Sequence, residues 1–167
     1  MPLNIEIKAR TEKTDHIRKI LQDKGADVRG TDHQRDTYFN CKQGRLKLRQ
    51  GNIEYSLIHY LRENQAGPKA SKVSLYRPKP DPNLKEVLVA AYGIWKEVVK
   101  AREIFFIENV KFHLDTVEKL GTFVEIEAID SDGSIGEEKL LEQCQHYMGL
   151  FEIEEKDLLS TSYSDMI

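Results

Sequence analysis

Charged residues recur two apart inside short apolar stretches of this chain, and their pairing suggests a chemistry. In GRLKLR, Arg45, Lys47 and Arg49 share a face opposite Leu46 and Leu48; Tyr60 and Arg62 share one in LIHYLR. In KVSLY, Lys72, Ser74 and Tyr76 oppose Val73 and Leu75, and Lys100 and Arg102 lie together in VVKAR. Near the N-terminus, Asn4, Glu6, Lys8 and Arg10 oppose Ile5, Ile7 and Ala9, and in FVEIEA Glu125 and Glu127 oppose Val124, Ile126 and Ala128. Same-face neighbours on a strand stand about 6.6 Å apart, so each pair forms a rung. Cations gathered in a confined space repel unless a polyanion lies between them. A chain of phosphates suits such rungs, with arginine gripping two oxygens and lysine acting as a point charge. The carboxylates Glu6, Glu125 and Glu127 would hold Mg²⁺ or Mn²⁺, hard ions that take oxygen ligands and bridge phosphates. Cations and metal together point to phosphoryl chemistry, in which positioning and charge neutralisation supply most of the rate.

The elements that must position these groups are legible from periodicity. Alternation and Val, Ile, Tyr and Phe content predict eight strands, near 3–10, 33–40, 44–50, 54–62, 71–77, 96–106, 110–114 and 122–129. Gly44, the QGN of Gln50 to Asn52, and Glu108-Asn109 read as tight reversals, so neighbouring strands run antiparallel. Glu63 to Ser71 has the composition of a mobile loop. Three amphipathic helices separate these runs. Ile17, Ile20 and Leu21 follow Thr14 as N-cap and stop at Gly25; Leu84, Val87, Leu88 and Ala91 follow Asp81 and Pro82 and stop at Gly93; Leu140, Leu141, Cys144 and Met148 mark a third from about Glu137.

Strands with one apolar and one charged face can form a sandwich with the charges outside, or a closed sheet with the charges inside. Three amphipathic helices need an apolar surface, and the outside of a polar-lumened barrel offers one. Eight strands enclose a lumen wide enough for side chains or one small ligand, and closure removes the exposed edges. The expected fold is therefore α+β, mainly β: a closed eight-stranded antiparallel barrel with about three helices outside, residues 1–167 forming one domain.

Bulk properties narrow the partners. A formal net charge of -3 offers no extended basic surface for nucleic acid. Cys41 and Cys144 are too few and too far apart for a disulfide framework or a CxxC site, no stretch nears the roughly 18 apolar residues of a membrane span, and no signal-peptide layout opens the chain. A cytoplasmic location without membrane association is expected. Neither GxSxG nor GxxxxGK[ST] occurs, so any phosphate grip comes from side chains.

Taken in order, the residues resemble the CYTH, or triphosphate tunnel metalloenzyme, superfamily, which includes class IV adenylate cyclases and thiamine and inorganic triphosphatases. The resemblance spans nearly the whole chain: the ExExK-like strand at Asn4, Glu6 and Lys8; QRDTYFN from Gln34; RLKLR; LIHYLR; Lys72 and Ser74 in KVS; VKAR; and HLDTVEKLGTFVEIE with Asp115, Gly121, Glu125 and Glu127. It implies an eight-stranded tunnel that binds a triphosphate. Carried over, Glu6, Lys8, Glu125 and Glu127 look catalytic, with Glu6, Glu125 and Glu127 as metal ligands. Lys8, Lys47, Arg49, Arg62, Lys72, Lys100 and Arg102 look like triphosphate contacts. The implied cofactor is Mg²⁺ or Mn²⁺ and the partner a nucleotide or other triphosphate, with a homodimer as one option for assembly. Asn4 stands where the motif has its first glutamate, and the HF preceding the motif in better-known class IV cyclases is missing. Chain length and the lack of large insertions look more like the cyclase branch than the triphosphatases.

Several residues keep ordinary explanations. Asp115 and Glu118 in DTVE fit a capping box as well as a place near the metal. His113, Tyr60 and Tyr76 read as packing residues; Arg45 and Arg10 read as surface or mouth residues. The segment KDLLSTSYSDMI reads as one that folds over a tunnel mouth.

Overall fold

The computed structural model describes residues 3–62 and 66–167, apart from the side chains of Arg62 and Ser71. Eight antiparallel strands close on themselves: β1 (Leu3–Arg10), β2 (Asp27–Phe39), β3 (Arg45–Gln50), β4 (Tyr55–Arg62), β5 (Lys69–Tyr76), β6 (Ile94–Ile107), β7 (Val110–Val117) and β8 (Gly121–Asp130). Their order around the barrel is β1-β5-β4-β3-β2-β6-β7-β8. The first strand closes the ring, pairing with β8 along its length and with β5 at its start. Helix α1 (Thr14–Asp23) follows β1, α2 (Pro82–Tyr92) joins β5 to β6, and α3 (Glu137–Leu150) follows β8. No described helix is long and apolar enough to cross a membrane.

The hydrophobic core lies outside the barrel wall. Ile5, Ile7 and Ala9 of β1, Phe112 and Leu114 of β7, and Val124, Ile126 and Ala128 of β8 pack against Ile17 and Leu21 of α1 and Leu140 and Cys144 of α3. Complete burial of such a side chain contributes about 1.5–3 kcal/mol, so this layer holds the two helices on the sheet. Because alternate side chains point the other way, their polar neighbours are forced into the lumen.

The second helix departs from its neighbours. Asp81 caps α2 by accepting from the Asn83 N–H at 2.9 Å, but α2 buries no residue and Val87 remains 64% exposed. Its expected apolar stripe is formed, with Leu84 and Leu88 half-buried and Val87 and Ala91 exposed. In α1 the residue before the helix is Lys13, with no side-chain cap, and Thr14 begins the helix instead of capping it.

Strand limits shift in two informative places. The second strand begins six residues earlier than predicted, since Gly30 (φ +105°) sits at a bulge between Val28 and Gly30 and does not end it. The fifth begins at Lys69, inside the stretch predicted as a loop; residues 63–65 of that stretch lie outside the described residues. Asp115 lies within β7, which runs to Val117, so the capping-box alternative for DTVE does not hold.

Candidate active site in the barrel lumen

The lumen is a cavity of about 1260 Å³. Register fixes which groups share a level. On one wall Arg102, Asp115 and Phe123 align, then Ile104, His113, Glu125 and Lys8, then Phe106, Lys111, Glu127 and Glu6. Across the lumen Asp36 pairs with Arg49, and Tyr38 with Lys47. Glu6, Lys8, Lys47, Arg49, Lys100, Arg102, Glu125 and Glu127 all line the cavity.

Lys72 is a correction. It is exposed, pairs with Leu3 and Leu61 on the outer face of β5, and does not line the cavity, to which Val73, Ser74 and Leu75 contribute. The predicted strand was assigned the wrong face, and one step of register reverses every side chain. Lys69 is the buried lysine of β5, at the position paired with Glu6, and its Nζ donates to the Ser160 carbonyl at 2.7 Å. The side chain of Arg62 lies outside the described residues.

Three charge clusters fill the lumen. In the first, Asp36 accepts two bonds from Arg49 (Nε to Oδ1 2.9 Å, Nη2 to Oδ2 2.7 Å) and one from Lys100 Nζ at 2.7 Å, with Lys47 Nζ 3.8 Å away. Burial by itself would raise the Asp36 carboxyl, but Arg49, Lys100 and Lys47 hold it well below the usual carboxylate range. Burial pulls Lys47 and Lys100 down to about 7, with Arg49 and Arg102 reinforcing the shift. The Lys100–Asp36 contact does not offset this depression, because one carboxylate already engaged by Arg49 faces three cations.

In the second cluster Arg102 grips Asp115 with two bonds of 2.8 Å, and its Nη2 reaches Glu125 Oε1 at 3.5 Å. Lys8 Nζ lies 3.1 Å from the same Glu125 oxygen, and His113 Nδ1 lies 3.0 Å from the other. Burial opposes the charge on Glu125, yet Lys8 and Arg102 keep its carboxyl well below the ordinary range. Asp115 is thus committed to Arg102 and to the Tyr163 hydroxyl, which donates to its Oδ2 at 2.7 Å.

The third cluster sits beside the loop after β3. Asp32 accepts from the backbone N–H groups of Ile53 (2.8 Å) and Glu54 (2.9 Å), and Gly51 is required there because a Cβ would stand 2.5 Å from an Asp32 oxygen. This turn presents Glu54 to Lys111 and, at 3.6 Å, to Arg49 Nη1. Nearby, the Asn4 amide donates to Glu127 Oε1 at 2.8 Å.

The C-terminal segment stoppers the lumen at the end away from Glu127. Leu158 bridges to Ala9, the Leu159 N–H donates to the Lys8 carbonyl, and Tyr163 is only 3% exposed. Its ring packs on Phe123 and carries Lys8 Nζ 3.7 Å from its centroid.

One ring nitrogen of His113 and one oxygen each from Glu125 and Glu127 lie within 4.8 Å of one another. Such a spacing, dominated by carboxylate oxygens, fits a divalent cation. Glu6 lines the same cavity at the level of Glu127 but stands outside this cluster, as does Asp115. Sequence reasoning passed over Asp36, Glu54, Lys69, Lys111 and Tyr163 and assigned His113 to packing. Alternation did offer a signal for Lys111, His113 and Asp115, which are two apart on one strand.

An eight-stranded lumen lined by cation rungs and a carboxylate cluster has the build of a triphosphate tunnel. The CYTH domain matches residues 2–163, and the chain belongs to that family, whose members bind triphosphate substrates and depend on a divalent metal. A candidate adenylate cyclase of Methanocaldococcus jannaschii is 25% identical over 180 residues, covering 98% of each chain. Among solved structures, a Pyrococcus horikoshii protein superposes with a TM-score of 0.82 at 22% identity, covering 98% of this chain and 99% of that one. A candidate adenylyl cyclase of Hippeastrum, described as having a dominant triphosphatase activity, superposes with a TM-score of 0.65 at 14% identity, covering 99% of this chain and 93% of that one.

Proposed function

We propose that the protein is an adenylate cyclase of the class IV kind, converting ATP to cyclic AMP and pyrophosphate with Mg²⁺ or Mn²⁺, and that it works in the cytoplasm as one domain of residues 1–167. The observation that carries the nucleotide part is the composition of the cavity along its length. The levels of Glu125 and Glu127 also carry Ile104 and Phe106 on the β6 wall, with Ile129 one level further from Tyr163 and Arg29 over the Phe106 ring at 4.6 Å. A bare tripolyphosphate has no use for that apolar wall; a nucleoside does.

In this scheme Lys47, Arg49, Lys100 and Arg102 take the phosphate oxygens, with Lys8 beside Glu125. Each already holds a carboxylate in the substrate-free lumen, so the phosphates replace acceptors that are present and the basic walls need little rearrangement. Polyanion binding returns full charge to Lys47 and Lys100 at Nζ. Glu6, Glu125 and Glu127 would hold the divalent ion, which when bound supplies charge neutralisation for the reacting phosphate and its nucleophile. Asn4 fixes one oxygen of Glu127 and adds no charge. Tyr163 closes the far end, so substrate enters from the mouth near Arg29 and Arg77.

A triphosphatase is the second possibility, favoured by the activity described for the Hippeastrum relative: the same walls would serve a water attacking the terminal phosphate. A purely binding module would have no need of the clustered Glu125 and Glu127. Product analysis with ATP and with tripolyphosphate separates the three. Cyclic AMP plus pyrophosphate supports the cyclase, phosphate plus a diphosphate supports the phosphohydrolase, and no turnover of either substrate with Mg²⁺ or Mn²⁺ would sink the enzymatic proposal. Glu127→Ala should abolish turnover while leaving the protein folded; retained activity would remove Glu127 from the site.

A further inference from the structure

His113 occupies the lumen level shared by Glu125 and Lys8, and it is 2% exposed. Its Nδ1 lies 3.0 Å from Glu125 Oε2. An ionised carboxylate only accepts, so Nδ1 carries the proton and Nε2 is left with a free lone pair. That Nε2 is buried and, among the described residues, has no hydrogen-bond partner. An orphaned acceptor is unusual in a protein interior, where nearly all buried polar atoms are paired. A neutral imidazole whose other N–H is held by a carboxylate is also the ordinary preparation of a histidine for a metal.

We propose that His113 is a ligand of the divalent cation through Nε2, making the centre a mixed nitrogen and oxygen site with Glu127, while Glu125 acts through the ring by holding its Nδ1–H. The proposal rests on the metal-dependent function above and deepens it. Its chemical consequence is a choice of ion. Mg²⁺ demands hard oxygen ligands, whereas Mn²⁺ and Co²⁺ accept imidazole readily, so this centre favours Mn²⁺ or Co²⁺ over Mg²⁺. Asn4 works in the same direction. It stands where the sequence motif has a glutamate, and its amide donates to Glu127 at 2.8 Å, so the site has one hard carboxylate ligand fewer.

The test needs no turnover. The full chain is loaded with Mn²⁺ in the absence of nucleotide and observed by pulsed electron paramagnetic resonance for hyperfine coupling to a directly bound imidazole nitrogen. The coupling should be present, and it should vanish in His113→Ala and His113→Gln, with Mn²⁺ affinity falling tenfold or more and Mg²⁺ affinity by less than threefold. Thermal unfolding of both variants guards against misfolding, and His113→Gln keeps a polar side chain of similar reach. Bound Mn²⁺ with no nitrogen coupling, or coupling that survives in both variants, overturns the assignment; if triphosphate turnover persists in that case, the functional proposal stands and only His113 is wrong. Failure to bind Mn²⁺, with no turnover under any ion, overturns both.

Discussion

Titrating the protein with ATP at pH 8 should draw protons out of solution. Lys47 and Lys100 are held near pKa 7 by burial in a lumen where Asp36 is shared among three cations. At pH 8 each is then about one-tenth protonated, and a polyphosphate that restores an ordinary lysine pKa pulls roughly 0.9 proton onto each, close to two in all. At pH 6 both are already mostly charged and uptake should fall to about 0.2 proton. Calorimetric titration in EDTA, repeated in two buffers of different ionisation enthalpy, measures this number directly. Lys47→Met and Lys100→Met should each remove about half of it. The same shift has a stability counterpart of opposite appearance. A lysine whose folded pKa is depressed is destabilising below about pH 7, and that penalty fades as pH rises towards the unfolded value of 10.5. The ligand-free protein should therefore gain stability across that window, by up to about 5 kcal/mol per lysine. That figure is an upper bound, because the two lysines share Asp36. ATP affinity should meanwhile weaken. Uptake below about 0.3 proton at pH 8, or uptake independent of pH, would mean that Asp36 suffices to keep both lysines charged, and the reasoning would fail.

Further outcomes follow from single contacts. Gly51→Ala places a Cβ 2.5 Å from an Asp32 oxygen and 2.6 Å from the Glu54 carbonyl, so it should cost about 2 kcal/mol, seen as a fall of roughly 4–8 °C in Tm. Asp115→Ala leaves the buried Arg102 guanidinium without its two-bond partner and should destabilise by about 3–5 kcal/mol in urea unfolding; a change under 1 kcal/mol would show that the guanidinium finds another acceptor. Asn4→Asp sets a second carboxylate against Glu127, so Tm without metal should drop while the rise on adding Mn²⁺ grows; an unchanged metal response would place Asn4 outside the centre.

Legibility followed the helices. Where α1 and α3 cover the sheet, the outer residues had to be apolar, and the inner face of β1, β7 and β8 could be read from alternation alone: Glu6, Lys8, Glu125 and Glu127 stand where the pattern placed them. On β5 the outer positions Lys72 and Tyr76 are exposed, and solvent accepts the polar face on the outside, as it does in ordinary sheets. There the pattern inverts without warning, and Lys72 was assigned to the wrong side. The partners of the cations were hidden for a different reason. Asp36, Glu54 and Asp115 sit on segments distant in sequence from Arg49, Lys111 and Arg102 or share a strand pairing with them, and only closure of the barrel shows which charge meets which. Tyr163 carried no periodic signal, because it comes from a short 3-10 turn and its burial depends wholly on the lumen it enters.

The place of β1 has a consequence for the order of events during synthesis. The strand carrying Glu6 and Lys8 leaves the ribosome before the seven others described, yet its full-length partner is β8, residues Gly121–Asp130, with which it shares the level of Glu125 and Glu127. Until that partner emerges, the opening strand has an unpaired edge and a charged face with nothing to enclose. At translation rates of about 5–20 residues per second, the wait lasts on the order of ten seconds. A nascent chain arrested before residue 121 should therefore bind no triphosphate, and the activity should appear as a step late in elongation when the first and last walls of the tunnel meet.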